Sequence, residues 1–230
     1  MFYGMSEYHD YYKTRVNLAV MLGPVTKIPN AQSDTLHLMA DFYDEIVFEA
    51  NLLNIYAVFQ KNFLTSTAMK LFCSPFAWMC EAAEYALVSH NIAADDKDRF
   101  EVYMDHEPNG SSLQSMLLYA QNMKRDRFQV WAPDFYHWDD LFEKKDTDLI
   151  PLSNIKEIPV AMFVAYDDTI ADPIDANWTK NQIGSAVFHY QMIEGGHLTF
   201  MIGKDMTYYT KDVMGLLNEY NPITSPSFLN

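Results

Sequence analysis

Three short, nearly continuous runs of apolar residues constrain the fold of this chain more than any other feature of its sequence. They are VNLAVML (Val16–Leu22), PVAMFVAY (Pro159–Tyr166) and AVFHYQMI (Ala186–Ile193). Short apolar runs with little polar alternation are typical of strands buried on both faces, as in a parallel sheet. After residue 155 the strand and helix patterns alternate, which indicates crossover helices between parallel strands. We therefore predict an α/β protein with about three parallel strands.

A helical block separates the first predicted strand from the second. Residues 26–100 are dense in Met and aromatic residues and show helical stretches over 35–64 and 67–92, without any clear strand. A further helix is predicted over Ser111–Arg125, with a serine in the N-cap position. Residues 1–15 have the pattern of the end of an aromatic-rich helix, and an amphipathic helix closes the chain from Asp205.

Three strands are few for a doubly wound sheet, which usually has five or more. The first run would also present an unprotected apolar edge if no strand preceded it. The chain is therefore expected to be the second half of a larger fold. Taken alone it is expected to be poorly soluble, because one sheet edge and one helix layer lack their partners.

The charge balance argues against two classes of partner. The chain has 16 Lys and Arg against 31 Asp and Glu, a formal net charge of −15. Nucleic acids and anionic membrane surfaces both attract clustered basic residues, so neither is an expected partner. No stretch reaches the roughly 18 consecutive apolar residues of a membrane span. The N-terminal sequence MFYGMSEYHDYYK lacks the basic and apolar regions of a signal peptide.

Cysteine and histidine spacing predicts neither a disulfide framework nor a metal site. Cys73 and Cys80 are seven residues apart. On one unbroken helix their Cα atoms would be about 10 Å apart, too far for a bridge. Pro75 lies between them and could break the helix, so a disulfide bridge remains an alternative. Two free thiols are the favoured prediction. The seven histidines are scattered without ligand spacing, and no metal or organic cofactor is expected.

Two side chains with catalytic chemistry follow the second and third predicted strands. Asp168 comes just after Tyr166, and His197 lies in EGGHLTF just after Ile193. The carboxyl ends of parallel strands meet at one edge of a sheet, so the two side chains are expected to lie close together. A buried carboxylate that binds one imidazole nitrogen orients the ring and stabilises the imidazolium formed during acyl transfer. The order Asp then His matches the last two members of an α/β-hydrolase triad.

Each of these residues also has a structural interpretation. An aspartate after a strand is most often a turn former or a helix cap. A single histidine is often a surface or hydrogen-bonded structural residue. Asp172, directly before Pro173, is predicted to be such a turn former or helix cap.

Four segments resemble the acid lipase family, which comprises the gastric and lysosomal acid lipases. DHEPNGSSLQSMLLYAQNMKRDRFQ is similar to the family's His-x-Pro-x-Gly-Thr/Ser-Ser-x-Gln segment and the helix after it. IPVAMFVAYDDTIADPID is similar to its strand and Asp-x-x-Ala-Asp-Pro turn. EGGHLTFMIGKD resembles its histidine loop, and VNLAVMLGPVTKI the strand that leads into its lid. The resemblance follows the chain in order over nearly its whole length.

The resemblance implies the C-terminal part of an α/β-hydrolase sheet with a large helical cap or lid insertion. Residues 1–25 and 106–230 would form the hydrolase core, and residues 26–105 the cap over the acyl-binding groove. Asp168 would be the triad acid and His197 the triad base. The two cysteines fall where the family carries cap cysteines. Thr199 stands where the family often has an acidic residue.

The resemblance also implies a nucleophilic serine, which this sequence does not contain in the expected motif. The family's serine lies in Gly-x-Ser-x-Gly on a strand-to-helix turn. The nearest match is GMSEY around Ser6, where Tyr8 replaces the second glycine and no strand precedes. Residues 1–12 match the helix that follows the nucleophile turn, so the chain is expected to begin just after the serine. The oxyanion hole would be lost with it, and the 230 residues alone are expected not to hydrolyse esters.

The favoured hypothesis is therefore a carboxylic ester hydrolase acting on triacylglycerol or sterol ester by a Ser-Asp-His mechanism. By resemblance it would be secreted or lysosomal. The alternative is a non-catalytic protein of the same descent that binds fatty acyl ligands or a partner. An unrelated α/β binding module is a third hypothesis and requires the motif matches to be coincidence.

Overall fold

The computed structural model describes residues 1–58, 78, 79, 82, 85, 91–106, 110–131 and 147–222. Cys73 and Cys80 lie outside the described residues, as does most of the helix predicted over 67–92. No helix in the described ranges is long and apolar enough to cross a membrane.

Helices and strands alternate along the described chain. The helices are α1 (Phe2–Glu7), α2 (His9–Tyr12), α3 (Asp34–Asp41), α4 (Tyr43–Leu53), α5 (Lys97–His106), α6 (Leu113–Arg125), α7 (Pro173–Ile183), α8 (Thr199–Ile202) and α9 (Met214–Tyr220). The strands are β1 (Ala19–Leu22), β2 (Ala57–Val58), β3 (Ser111–Ser112), β4 (Val160–Ala165) and β5 (Val187–Ile193). Short 3-10 turns cover Ile92–Ala94, Leu152–Asn154 and Gly184–Ala186, and a π-helical turn over Tyr208–Val213 leads into α9.

Three of these strands form a parallel sheet in the order β1-β4-β5. Met162 of β4 lies opposite Met21 of β1 on one side and opposite Tyr190 of β5 on the other. The predicted α/β class and the three parallel strands are confirmed. β1 begins at Ala19 rather than Val16, because the N–H of Val16 still donates to the carbonyl of Tyr12 in the turn after α2.

Only the central strand is buried along its whole length. All six residues of β4 are buried, whereas β1 and β5 contain half-buried and exposed positions. The buried strand predicted over Pro159–Tyr166 is therefore confirmed in β4, and the prediction of burial on both faces is wrong for β1. β1 and β5 are each paired on one side only within the described sheet.

Apolar layers cover both faces of β4. Val160 and Met162 pack in a cluster that includes residues of α1, α7 and the segment 152–158. Ala161, Phe163 and Ala165 point to the other face and pack in a cluster with residues of α8 and the C-terminal helical turns. The alternation of side chains along an extended strand explains how one strand serves two layers.

The helical stretch predicted over residues 35–64 is divided in the structure, which describes it as far as residue 58. α3 and α4 are separated at Phe42, and α4 ends where Asn54 adopts a left-handed conformation with φ 55°. Asn tolerates this conformation better than most residues do, which lets the chain leave the helix. β2 follows and pairs antiparallel with β3. The prediction of no strand in this block is therefore wrong, because a two-residue pairing with distant residues leaves no local pattern.

α6 packs against the helical block. Its residues Leu117, Ala120 and Met123 form a cluster with Tyr43 and Val47 of α4. A serine caps this helix as predicted, but one residue later than the predicted start at Ser111: the Ser112 side chain accepts a hydrogen bond from the N–H of Ser115 at 3.0 Å.

Candidate active site

The loops that follow β4 and β5 are joined at the carboxyl edge of the sheet. The N–H of Tyr166 donates to the carbonyl of Ile193, and the N–H of Asp167 donates to the carbonyl of Gly195. These two bonds tie the loops together just beyond the last paired residues, Ala165 and Ile193. Asp168 and His197 lie one and two residues beyond these hydrogen-bonded positions.

The side chains of Asp168 and His197 form a direct hydrogen bond. His197 Nδ1 lies 2.9 Å from Asp168 Oδ2. The Asp168 side chain is completely buried, whereas 34% of the His197 side chain is exposed. An ionised carboxylate only accepts hydrogen bonds, so Nδ1 carries the proton and donates it. In the neutral imidazole, Nε2 then holds the free lone pair that a general base requires.

Backbone donors fix the other oxygen of the Asp168 carboxylate. Oδ1 accepts hydrogen bonds from the N–H groups of Ile170, at 3.0 Å, and Ala171, at 2.8 Å. Asp168 therefore closes the turn after β4 and binds His197 with the oxygen that remains. The structural and the catalytic interpretations of this aspartate are compatible, because the turn holds the carboxylate in place for the imidazole.

The carboxylate also changes the proton affinity of the histidine. Burial lowers the pKa of His197, but the hydrogen bond to Asp168 and the negative charge of that carboxylate raise it more. The net result is a pKa above the ordinary value of 6.5. A general base with this shift binds a proton more tightly in the reaction than free imidazole does.

Gly23, at the end of β1, lies against both members of the pair. A Cβ atom built on it would lie 3.4 Å from Asp168 Oδ2 and 3.4 Å from Nδ1 of His197. Its φ is +55°, which costs a residue with a side chain roughly 1–2 kcal/mol. The contact distance is tolerable, so the backbone conformation is the stronger reason for glycine here.

The segment after β1 is attached to the turn that holds Asp168. Asp172 caps α7 by accepting a hydrogen bond from the N–H of Ile174, as predicted, and its second oxygen accepts from the Gln32 side chain. The N–H of Gln32 donates to the carbonyl of Thr169. Asn30 donates twice to Asp175, a buried carboxylate whose pKa is raised chiefly by burial. These contacts hold the carboxyl ends of β1 and β4 together.

Three residues that sequence reasoning did not single out as functional also contact the two loops. Asn91 donates to Asp167 at 2.7 Å, and Thr199 donates to Asp95 at 2.6 Å. Asp95 and Thr199 are separated by 104 positions, so no motif could have indicated their contact. The only sign of this contact in the sequence is Thr199, two residues after His197, where the acid lipase family often has an acidic residue.

Ser6 occupies a structural position. It lies inside α1 and is buried, and its hydroxyl donates to the carbonyl of Pro151 at 2.7 Å. A nucleophile would instead project from a turn after a strand. Among the described residues no group of three or more His, Cys, Asp or Glu side chains could hold a metal ion.

Comparisons with known proteins find relatives among the lipases. The chain is 26% identical over 226 residues to the human lysosomal acid lipase/cholesteryl ester hydrolase, covering 90% of this chain and 52% of the relative. It is 29% identical over 151 residues to the protein of that name from Macaca fascicularis, covering 62% of this chain and 36% of the relative. It is 23% identical over 197 residues to bovine gastric triacylglycerol lipase, covering 83% of this chain and 48% of the relative.

A solved structure with some likeness is an alpha/beta hydrolase enzyme from a Medee basin deep-sea metagenome library. It is 13% identical, with 95% of this chain and 62% of that chain covered. The TM-score of 0.33 is too low to support any argument. No family model matches the chain.

The chain thus spans about half the length of the curated relatives that it matches over most of its own length. The resemblance to lysosomal and gastric acid lipases, first indicated by the motifs around Asp168 and His197, is confirmed by these comparisons.

Proposed function

We propose that this chain supplies the acid and the base of a lipid ester hydrolase that works by a Ser-Asp-His mechanism. The observation that carries the proposal is the hydrogen bond between His197 Nδ1 and the buried Asp168 carboxylate. It lies at the carboxyl edge of a parallel sheet, where α/β enzymes place their reacting groups. The names of the relatives, cholesteryl ester hydrolase and triacylglycerol lipase, support lipid esters as substrates.

In the proposed reaction each residue of the pair has a distinct role. His197 Nε2 removes the proton from a serine hydroxyl while that oxygen attacks the ester carbonyl. The resulting imidazolium is stabilised by Asp168, and it returns the proton to the leaving alcohol. Water then attacks the acyl-enzyme with His197 again as the base. No step requires a metal or an organic cofactor.

The attacking serine is proposed to lie outside these 230 residues, which contain no Gly-x-Ser-x-Gly. Residues 1–25 and 106–230 are proposed as the hydrolase core, and residues 26–105 as a cap over the acyl chain. The names of the relatives support a secreted or lysosomal location.

The missing motif favours one further candidate function, a lipid-binding protein without turnover. It differs from the first in one measurable respect. A binder retains affinity for fatty acids and shows no ester hydrolysis in any natural form of the protein.

The test compares the 230-residue chain with the longest natural form of the protein. Hydrolysis of p-nitrophenyl butyrate and of triolein emulsions is measured for both forms. We expect hydrolysis by a form that contains the serine and none by the 230 residues alone. In the active form, His197→Ala should lower kcat by a factor on the order of 10⁴–10⁶.

His189→Ala is the matched control. His189 lies on β5, and its ring is hydrogen-bonded to the Gln191 side chain rather than to Asp168. It should leave kcat within about threefold of the wild-type value. Full activity in His197→Ala would contradict the proposal.

A further inference from the structure

One short segment contacts both of the loops that carry Asp168 and His197. The strap, as we call residues 91–96, is bound to the end of α8 through the backbone. The N–H of Asp96 donates to the carbonyl of Ile202, and the N–H of Lys204 donates to the carbonyl of Ala94. Asp95 and Gly203 form an isolated antiparallel bridge at the same place. The strap therefore lies directly against the loop that follows His197.

Side chains extend this contact to the residue before the histidine. The Thr199 hydroxyl donates to Asp95 Oδ1 at 2.6 Å, and its oxygen accepts from the N–H of Gly196 at 3.0 Å. Asp95 and Thr199 are both buried, with 0% and 3% of their surface exposed. A hydrogen-bonded chain thus runs from the Asp95 carboxylate through Thr199 to the backbone N–H of Gly196, the residue before His197.

The histidine loop is folded closely around the Thr199 side chain. A Cβ atom at Gly195, whose φ is +119°, would lie 2.3 Å from Thr199 Oγ1. A Cβ atom at Gly203 would lie 2.9 Å from Thr199 Cγ2. Neither position could carry a side chain without displacing Thr199. The backbone therefore packs tightly against Thr199 on both sides of His197.

The strap also reaches the acid loop. Asn91 Nδ2 donates to Asp167 Oδ2 at 2.7 Å, one residue before Asp168. Leu198 and Ile202 pack in an apolar cluster with Tyr85, and Tyr103 packs against that cluster. The chain on either side of the strap thus contacts the same loop as the strap itself.

A carboxylate suits position 95 better than an amide does. It has acceptors only, so it forces the Thr199 hydroxyl proton toward itself and leaves the hydroxyl oxygen for the N–H of Gly196. An asparagine could rotate and present its NH₂ group instead. Burial raises the pKa of Asp95, and the hydroxyl groups of Thr199 and Tyr85 and the charge of Lys204 oppose this rise.

We propose that Asp95 is a positioning residue for His197, which it holds against Asp168 through Thr199 and Gly196. The inference rests on the proposed function, since it assigns Asp95 to the same pair. It makes the strap a connection between the helical block and the loop that carries the base. When the contact between Asp95 and Thr199 is lost, the imidazole should leave Asp168 more often, although both residues of the pair are intact.

NMR of the histidine ring in the longest natural form of the protein, labelled with ¹⁵N-histidine, tests this inference without any turnover. The Nδ1 proton of His197, bonded to a carboxylate, should give a downfield signal that His197→Gln removes. In Asp95→Ala the exchange of this proton with water should accelerate by at least about tenfold, because the bond opens more often.

Thr199→Val, which keeps the volume and removes the hydroxyl, should have the same effect, and Thr199→Ser should restore slow exchange. The double variant Asp95→Ala/Thr199→Val should exchange no faster than Thr199→Val, since both changes break one chain of bonds. Asp98→Ala, in the exposed first turn of α5, is the matched control and should leave the signal unchanged. If Asp95→Ala does not fold, the comparison of Thr199→Val with Thr199→Ser decides.

The outcomes separate the two proposals. A downfield signal that persists with unchanged exchange in Asp95→Ala and Thr199→Val would overturn the role of Asp95 and leave the proposed function standing. The absence of any such signal in the wild-type chain would overturn the pair itself, and with it both proposals. Exchange of the Nδ1 proton that is faster in both variants, together with slow exchange in Thr199→Ser, supports the inference.

Discussion

At the scale of single residues, the Asp168 carboxylate is held by three donors. Two backbone N–H groups bind one oxygen and the His197 ring binds the other. These contacts orient the carboxylate before any substrate is present, as electrostatic preorganisation requires. The histidine is more exposed than its partner, so its ring is accessible to a reacting group.

The raised pKa of His197 predicts a pH-dependent contribution to stability. Protonation of His197 is favoured in the folded state, so its contribution is fully present below pH 6.5 and is lost as the pH rises through the folded-state pKa. In Asp168→Asn, burial remains and the negative charge is gone, so the pKa of His197 should fall below 6.5. The loss of unfolding free energy caused by Asp168→Asn should therefore be greatest below pH 6.5 and smaller at pH 9.

Urea denaturation between pH 5.5 and pH 9 measures this difference. The control introduces Asp168→Asn into a His197→Gln background, where the loss of unfolding free energy caused by Asp168→Asn should not vary with pH. If Asp168→Asn lowers the unfolding free energy equally at all pH values in the wild-type background, the raised pKa of His197 is not caused by this pair.

The positions of Asp168 and His197 could be predicted from the sequence because both follow apolar runs. The carboxyl ends of neighbouring parallel strands must meet, and that rule alone brings the two residues together. Asp95, Asn91 and Thr199 could not be predicted in this way. Their contacts depend on how the helical block returns to the sheet, which no local pattern encodes.

At the scale of elements, the three strands of the parallel sheet and a serine cap near the start of α6 were predictable, and the end of α4 was not. β4 is an apolar run with a strong local signal, and Ser112 is a typical N-cap. Residues 35–64 were predicted to be helical, without any clear strand. Asn54 ends α4 within this stretch, and the β2–β3 pairing left no local pattern because it depends on residues more than 50 positions away.

The cap of α6 gives a prediction at this scale. Ser112→Ala removes the acceptor for the N–H of Ser115 and should lower the unfolding free energy by about 1 kcal/mol. For a chain of this size that corresponds to a fall in Tm of roughly 2–4 °C. Differential scanning calorimetry measures the shift. Ser111→Ala, the same change one residue earlier in β3, should shift Tm by less than half as much, and equal shifts would argue against a capping role.

At the scale of the whole molecule, the sheet and its two apolar layers form one framework that positions both loops. The order β1-β4-β5 places the end of β1 beside Asp168 and His197, which Gly23 contacts. Helices from both halves of the chain cover β4. The parallel topology followed from the alternation of strands and helices. The strand order had no signal in the sequence, because the pairing of β1 with β4 crosses the whole helical block.

The central claim is that Asp168 and His197 serve a serine that lies outside these 230 residues. Labelling of the natural protein in its own tissue with a fluorophosphonate, followed by mass spectrometry of the labelled polypeptide, tests it most directly. The account predicts one labelled serine in a Gly-x-Ser-x-Gly peptide, in a polypeptide that also yields the peptides containing Asp168 and His197. A label on a serine within residues 1–230, or a natural polypeptide that yields these peptides and takes up no label, would contradict it.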